Sequence, residues 1–79
     1  MEEFRKQLIR SAMSEIDDVK KYMDLSKQAS DVTMGILKDI AHDEYTHANH
    51  LVQIIEREGS VPEDLMKKWE ECEAEYQNV

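Results

Sequence analysis

Two long segments with helical apolar periodicity, separated by a short break, constrain this chain more than any other feature. In the first segment, apolar residues recur at intervals of three and four from Leu8 to Met23. The second segment repeats this spacing from Leu37 to Ile55, and residues 28–31 lie between the two. Because a short connection makes consecutive helices antiparallel neighbours, the sequence predicts an antiparallel helical hairpin.

The ends of the helices are marked by turn and capping residues. Ser30 or Asp31 is predicted to cap the second helix with its side chain, and Gly59 to end it. Residues 60–63, Ser-Val-Pro-Glu, resemble a capping box that opens a third helix. The sequence therefore predicts one all-α domain over residues 1–79, with helices at about 2–27, 31–58 and 61–77. The third helix has one apolar stripe, formed by Leu65, Met66, Trp69, Cys72 and Tyr76.

Composition excludes several classes of function. The net charge of −8 argues against nucleic-acid binding, which requires basic side chains that neutralise phosphates. No apolar run approaches the roughly 20 residues of a membrane span, and no signal peptide is recognisable, so we expect a cytoplasmic protein. Cys72 is the only cysteine and cannot form a disulfide within the chain. A chain this small usually needs a metal or an oligomer as additional support for its core.

Glu44 and His47 are the clearest candidates for chemistry. They belong to the series of the second helix that is predicted to face inward, where a charge is costly unless something pairs with it. A Glu and a His three residues apart are common by chance, so the spacing alone is weak evidence. The alternative is a surface Glu and a hydrogen-bonded His at the edge of the stripe. The predicted inward series is Leu37, Ile40, Glu44, His47, Ala48, Leu51, Ile54 and Ile55.

Hairpin register supplies a stronger argument. Residues at equal distances from the middle of the turn, between Ala29 and Ser30, lie at the same height in two antiparallel helices. Glu15 and Glu44 are equally far from that point, so their carboxylates are expected to face each other. An ion pair of Glu15 with a lysine is the alternative. The sequence predicts Glu15, Glu44 and His47 as metal ligands.

Two carboxylates and one imidazole form half of a known kind of cluster. Dinuclear sites in four-helix bundles take a Glu from each of two helices and a Glu-x-x-His from each of the other two. A twofold dimer of the hairpin supplies this set, and its four carboxylates balance two divalent cations. The wide apolar arc of the first helix provides the second packing surface. We therefore expect a homo-oligomer, a dimer or larger, with a four-helix bundle at its centre.

The segment SEIDDVKKYMDLSKQASDVTMGILKDIAHDEYTHANHLVQII, Ser14 to Ile55, resembles the ferritin-like superfamily, especially rubrerythrins and two-helix encapsulated ferritins. The shared features are Glu15 with Tyr22 seven residues later, the DEYTHANHL run and the short break. The resemblance implies that Glu15, Glu44 and His47 bind iron in a dinuclear site shared between two chains. It also implies oxidation of Fe(II) by oxygen or peroxide, in iron handling or oxidative-stress defence. Tyr22 is the candidate catalytic residue, through a hydrogen bond to a ligand carboxylate, and the alternative is that it only packs in the core.

The chain departs from these families in two respects. It carries one half-site where a full ferritin or rubrerythrin carries two, and it has no Cys-x-x-Cys pair for an iron–sulfur domain. An encapsulating shell or a reductase is a further candidate partner. Zinc or manganese is an alternative to iron, because Glu and His suit several divalent ions. The alternative function is a catalytically silent module for oligomerisation or partner binding, with no metal or with a structural one.

Overall fold

Three helices and their connections make up a computed structural model that describes residues 2–77. The helices are α1 (Glu2–Ser26), α2 (Asp31–Arg57) and α3 (Glu63–Gln77). Helices α1 and α2 form the expected antiparallel hairpin, and α3 packs along it, mainly against α1. No strand occurs in residues 2–77, as the all-α prediction requires. No helix in this range is long and apolar enough to cross a membrane.

Two of the predicted caps are wrong in detail. Ser30 is the N-cap of α2, but its side chain makes no capping hydrogen bond, and only its backbone carbonyl accepts one from the Met34 N–H at 2.7 Å. Helix α3 begins at Glu63, because the Pro62 carbonyl accepts the first helical bond, from the Met66 N–H at 2.9 Å. The proposed capping box at residues 60–63 is therefore absent, and Ser60 lies in the loop before the helix.

The end of α2 follows the prediction at Gly59. Its φ of 153° lies in the region that favours glycine, and an added Cβ would meet the Arg5 guanidinium at 3.1 Å. Arg5 donates hydrogen bonds to the Ile55 carbonyl, at 3.2 Å, and to the Ser60 carbonyl. These bonds connect the start of α1 to the last turn of α2 and to the α2–α3 loop.

The core lies between all three helices. Its buried side chains are Ala12, Ile16, Val19 and Met23 of α1, Ala41, Ala48, Val52 and Ile55 of α2, and Leu65, Trp69 and Cys72 of α3. Ala41 and Val52 were not in the predicted inward series, whereas His47 and Ile54 were in it and are exposed. The buried side of α2 is therefore rotated towards α3 relative to the prediction, because α3 covers only one side of the hairpin.

Cys72 is expected to be chemically inert in the folded protein. It is 8% exposed, and burial raises the pKa of its thiol to about 11. At about pH 8 the group is therefore protonated, and the thiolate is the reactive form. We expect slow labelling by a disulfide reagent in the native protein and rapid labelling in denaturant, measured by thiolate release. Rapid stoichiometric labelling of the native chain would contradict this placement.

Candidate metal centre

Three side chains from two helices converge near the middle of the hairpin. Glu15 extends from α1, and Glu44 and His47, one turn apart, extend from α2. One ligand atom from each lies within 4.8 Å of the others, and in residues 2–77 this group has the composition and spacing of a metal site. The predicted register thus places the two carboxylates at the same height.

The distances leave a gap that a cation fits. His47 Nδ1 is 3.8 Å from Glu15 Oε2 and 3.8 Å from Glu44 Oε1, which is too long for a hydrogen bond. Two donors on one ion can be at most about 4.2–4.4 Å apart when each bond is about 2.1–2.2 Å long. The imidazole and either carboxylate can therefore reach the same ion without movement of the backbone.

Burial is uneven across the three candidate ligands. The side chains of Glu15 and Glu44 are 27% and 20% exposed, whereas that of His47 is 58% exposed. The alternative of a surface Glu44 is therefore not met, whereas His47 does lie at the exposed edge of the stripe. Glu15 Oε2 is buried and has no hydrogen-bond partner. A buried carboxylate oxygen without a partner is costly, and a bound cation would remove that cost.

The Glu15 carboxyl makes ionisation of Glu44 less favourable. The contact with the Glu15 carboxyl raises the pKa of Glu44, and burial and the negative charge of Glu15 act in the same direction. A cation bound between the two groups would offset their mutual repulsion. The donor set therefore fits a divalent cation.

Asp18 is a neighbour of the centre that is not among the predicted ligands. It is half-buried, and its carboxyl lies close enough to that of Glu44 to lower the pKa of Glu44 through a hydrogen bond. Its spacing of three residues from Glu15 places it on the same side of α1, one turn further on. The spacing between Glu15 and Asp18 is visible in the sequence, but the hairpin register is also needed to place Asp18 near Glu44.

Tyr22 lies on α1 seven residues, about two turns, beyond Glu15. It is half-buried and packs against the core, and the Lys21 ammonium lies 5.0 Å from the centre of its ring. In the part of the chain from residue 2 to residue 77, no hydrogen bond links its hydroxyl to Glu15 or Glu44. Its catalytic assignment stays a prediction.

The side of the hairpin that carries the centre is not covered by α3. Helix α3 makes ion pairs with Asp17 and Lys20 of α1 and stacks aromatic rings on Tyr45 of α2, all on the other side from Glu15 and His47. We call the uncovered side the open face. On α2 it is the stripe Ile36, Ile40, Glu44, His47, Leu51 and Ile54, at intervals of three and four; on α1 it includes Phe4, Glu15, Tyr22 and Leu25.

Large apolar side chains are exposed at both ends of the open face. Phe4 and Ile54 are 46% and 40% exposed at one end, and Leu25 and Ile36 are 41% and 56% exposed at the other. Contiguous exposed apolar residues on a small soluble protein usually mark an interaction surface. The candidate centre thus lies between two exposed apolar patches on the open face.

Comparison with known proteins gives one family. The family model described as Rubrerythrin matches residues 6–78, which include α2, α3, all but the first turn of α1 and every candidate ligand. No curated protein and no solved structure matches the chain.

Proposed function

The chain belongs to the rubrerythrin family, and from that premise we propose that it is a di-iron carboxylate protein whose iron is bound by Glu15, Glu44 and His47. The observation that carries the proposal is the convergence of these three donors within 4.8 Å, with a buried oxygen of Glu15 left without a partner. The family match reinforces it, because carboxylate and imidazole donors are the ligands of such sites.

We propose further that two chains share the centre. One chain provides two carboxylates and one imidazole, and a dinuclear site in a four-helix bundle uses four carboxylates and two imidazoles. A second copy on the open face would supply the missing half. It would also bury the apolar side chains exposed at both ends of that face, Phe4, Leu25, Ile36 and Ile54. The same contact therefore completes the ligand set and covers the apolar surface.

The proposed activity is the oxidation of Fe(II). Bound iron would supply reversible one-electron chemistry between Fe(II) and Fe(III), with oxygen or peroxide as the electron acceptor. The residues of the chain contribute charge and position: Glu15 and Glu44 bring negative oxygen donors, which favour the more highly charged Fe(III). His47 brings a nitrogen donor and is the most exposed of the three, so in a shared centre it would face the second chain.

Elemental analysis and an oxidation assay test this function together. Protein purified without added metal should contain iron, and adding Fe(II) to the metal-free form in air should raise ferric absorbance faster than in a protein-free control. If the protein contains zinc or manganese and does not oxidise Fe(II), the proposal is contradicted and the metal has a structural role. If the purified protein contains no metal and its oligomeric state is unchanged after exhaustive chelation, the chain is a catalytically silent oligomerisation module.

Tyr22→Phe is expected to slow iron oxidation while leaving the bound metal unchanged. Tyr22 lies on the open face about two turns from Glu15, and the family resemblance implies a hydrogen bond from its hydroxyl to a ligand carboxylate. The Phe variant keeps the packed ring and removes only the hydroxyl. The measurement compares the oxidation rate with metal content for each protein. Equal rates in both proteins would leave Tyr22 a core residue only.

A further inference from the structure

A cleft opens where the C-terminal end of α3 meets the hairpin. Its volume is about 320 Å³, at the lower end of the roughly 300–1,000 Å³ that is typical of small-molecule sites. All three helices contribute to its walls, and none of its lining residues is a candidate metal ligand. The described residues that line it are Met23 and Ser26 of α1, Lys38 and Ala41 of α2, and Tyr76 and Gln77 of α3.

The floor of the cleft is apolar and buried. Met23 and Ala41 are 7% and 1% exposed. The Ser26 side chain is 2% exposed, and its hydroxyl already donates to the Met23 carbonyl at 2.6 Å, so it leaves no unpaired donor in the floor. An apolar group of a ligand would therefore meet a surface that does not have to give up hydrogen bonds to water.

Two contacts hold the Tyr76 wall of the cleft in place. The ring stacks on Tyr45 at a centroid distance of 4.1 Å and an interplanar angle of 9°. Its hydroxyl is hydrogen-bonded to His42, with 2.6 Å between the oxygen and Nδ1. Because this wall is already ordered, a ligand that packs against it costs little additional ordering of the side chain.

Lys38 supplies the only charge among the six lining residues. Its side chain is exposed, and within residues 2–77 it forms no ion pair. The chain has 18 acidic against 10 basic residues, so a cleft lined by a lysine and by no described carboxylate departs from the charge of the whole molecule. One unpaired ammonium beside an apolar floor matches a ligand with one negative charge and an apolar body.

The neighbouring cleft between α1 and α3 does not share this property. It is smaller, about 110 Å³, and both lysines that line it are paired. Lys68 Nζ lies 2.6 Å from a carboxylate oxygen of Asp17, and Lys20 Nζ lies 3.8 Å from one of Glu75. An anion in that cleft would have to compete with these carboxylates, whereas Lys38 is free of such competition among the described residues.

We propose that the larger cleft binds a small organic carboxylate, with Lys38 at its charged end and Met23 and Ala41 against its apolar body. This binding site goes beyond the proposed iron chemistry and uses none of the iron ligands. A single ammonium favours one negative charge over the several charges of a nucleotide, and the apolar floor favours an alkyl or aryl body over a sugar.

Octanoate is the probe, added to the full chain and followed by calorimetry and by nuclear magnetic resonance of methyl-¹³C methionine. The Met23 methyl signal, assigned with Met23→Leu, should shift in a saturable way, while that of Met66, near the start of α3, should not. From butanoate upwards, affinity should rise about three- to fourfold for each added methylene that enters the cleft. A saturable shift at Met66 with none at Met23 would overturn the proposed location.

The charge of Lys38 is tested separately. Lys38→Gln should weaken octanoate binding roughly tenfold, because it removes a charge-assisted hydrogen bond. Lys6→Gln, the same change at an exposed lysine towards the other end of the hairpin, should leave the affinity unchanged. Equal affinities of Lys38→Gln and the wild type, or equal affinities of the wild type for octanoate and 1-octanol, would overturn the proposal. Iron content is measured on the same samples and should be the same in all of them.

Discussion

Glu44→Gln is expected to abolish stoichiometric iron binding. Glu44 contributes one of the two carboxylates of each half-site, and its neutral amide is a much weaker ligand. Loss of a group that only orients a metal ligand typically costs 10–100-fold in affinity, so loss of the ligand itself should cost at least roughly 100-fold. Metal content after dialysis should fall from about one iron per chain, the content of a completed dinuclear site, to background.

Stability measurements separate loss of the ligand from misfolding. The pKa of Glu44 is raised above its ordinary value of 4.5, so its ionised form is less favourable in the folded chain than in the unfolded one. This cost is absent below about pH 4.5 and fully present above the raised pKa. In chelated protein at neutral pH, Glu44→Gln should therefore be at least as stable as the wild type in urea denaturation.

A matched variant checks that the effect belongs to the site. Glu56→Gln makes the same chemical change on the exposed surface of α2 and should retain wild-type iron content. Iron binding by Glu44→Gln at the wild-type stoichiometry would refute the assignment of Glu44 as a ligand. Equal loss in both variants would point to surface charge rather than to a defined centre.

Ile54→Lys is expected to remove iron without touching a ligand. Ile54 lies seven residues after His47, about two turns along the open face, and is 40% exposed. Covering an isoleucine completely is worth about 1.5–3 kcal/mol, and a twofold contact covers two copies. Because part of each side chain is already buried, the loss should weaken the dimer at least roughly tenfold, at 1.4 kcal/mol per tenfold. The ammonium group would add a desolvation cost.

Two quantities are measured for Ile54→Lys: the molecular mass of the assembly in solution and the iron content. Light scattering or sedimentation should show a shift from dimer to monomer, and iron content at the same protein concentration should fall with it. Gln53→Lys introduces the same charge at the neighbouring exposed position, about 100° around α2 and outside the open face, and should change neither. A monomeric Ile54→Lys protein that still binds iron at the wild-type ratio would show that one chain suffices for the centre.

Periodicity and spacing anticipated much of the fold. The three helices were predicted to within about two residues at each end, since their apolar stripes, the break at residues 28–31 and Gly59 are local signals. The resemblance to ferritin-like proteins identified the family, and the residues 6–78 match confirms it. The equal spacing of Glu15 and Glu44 from the turn also anticipated that the two would meet, because helix rise is the same in both helices.

Periodicity did not determine which part of each stripe is buried. The apolar arc of α2 is wide enough to pack in more than one orientation, and the position of α3 selects between them. With α3 on one side, Ala41 and Val52 are enclosed, while His47 and Ile54 are left on the open face. The same packing places Tyr45 between Trp69 and Tyr76, and no local sequence pattern predicts this stack.

The sequence by itself determined the helices, the hairpin register and the identity of the donor groups, because these depend on local propensity and on counting residues along a regular helix. Only the tertiary structure decided where those donors lie relative to solvent and to α3. That outcome depends on contacts between residues far apart in the chain, such as the Tyr76–His42 hydrogen bond and the Lys68–Asp17 ion pair. Packing of the buried α3 side chains closes one side of the hairpin and leaves the carboxylate side uncovered.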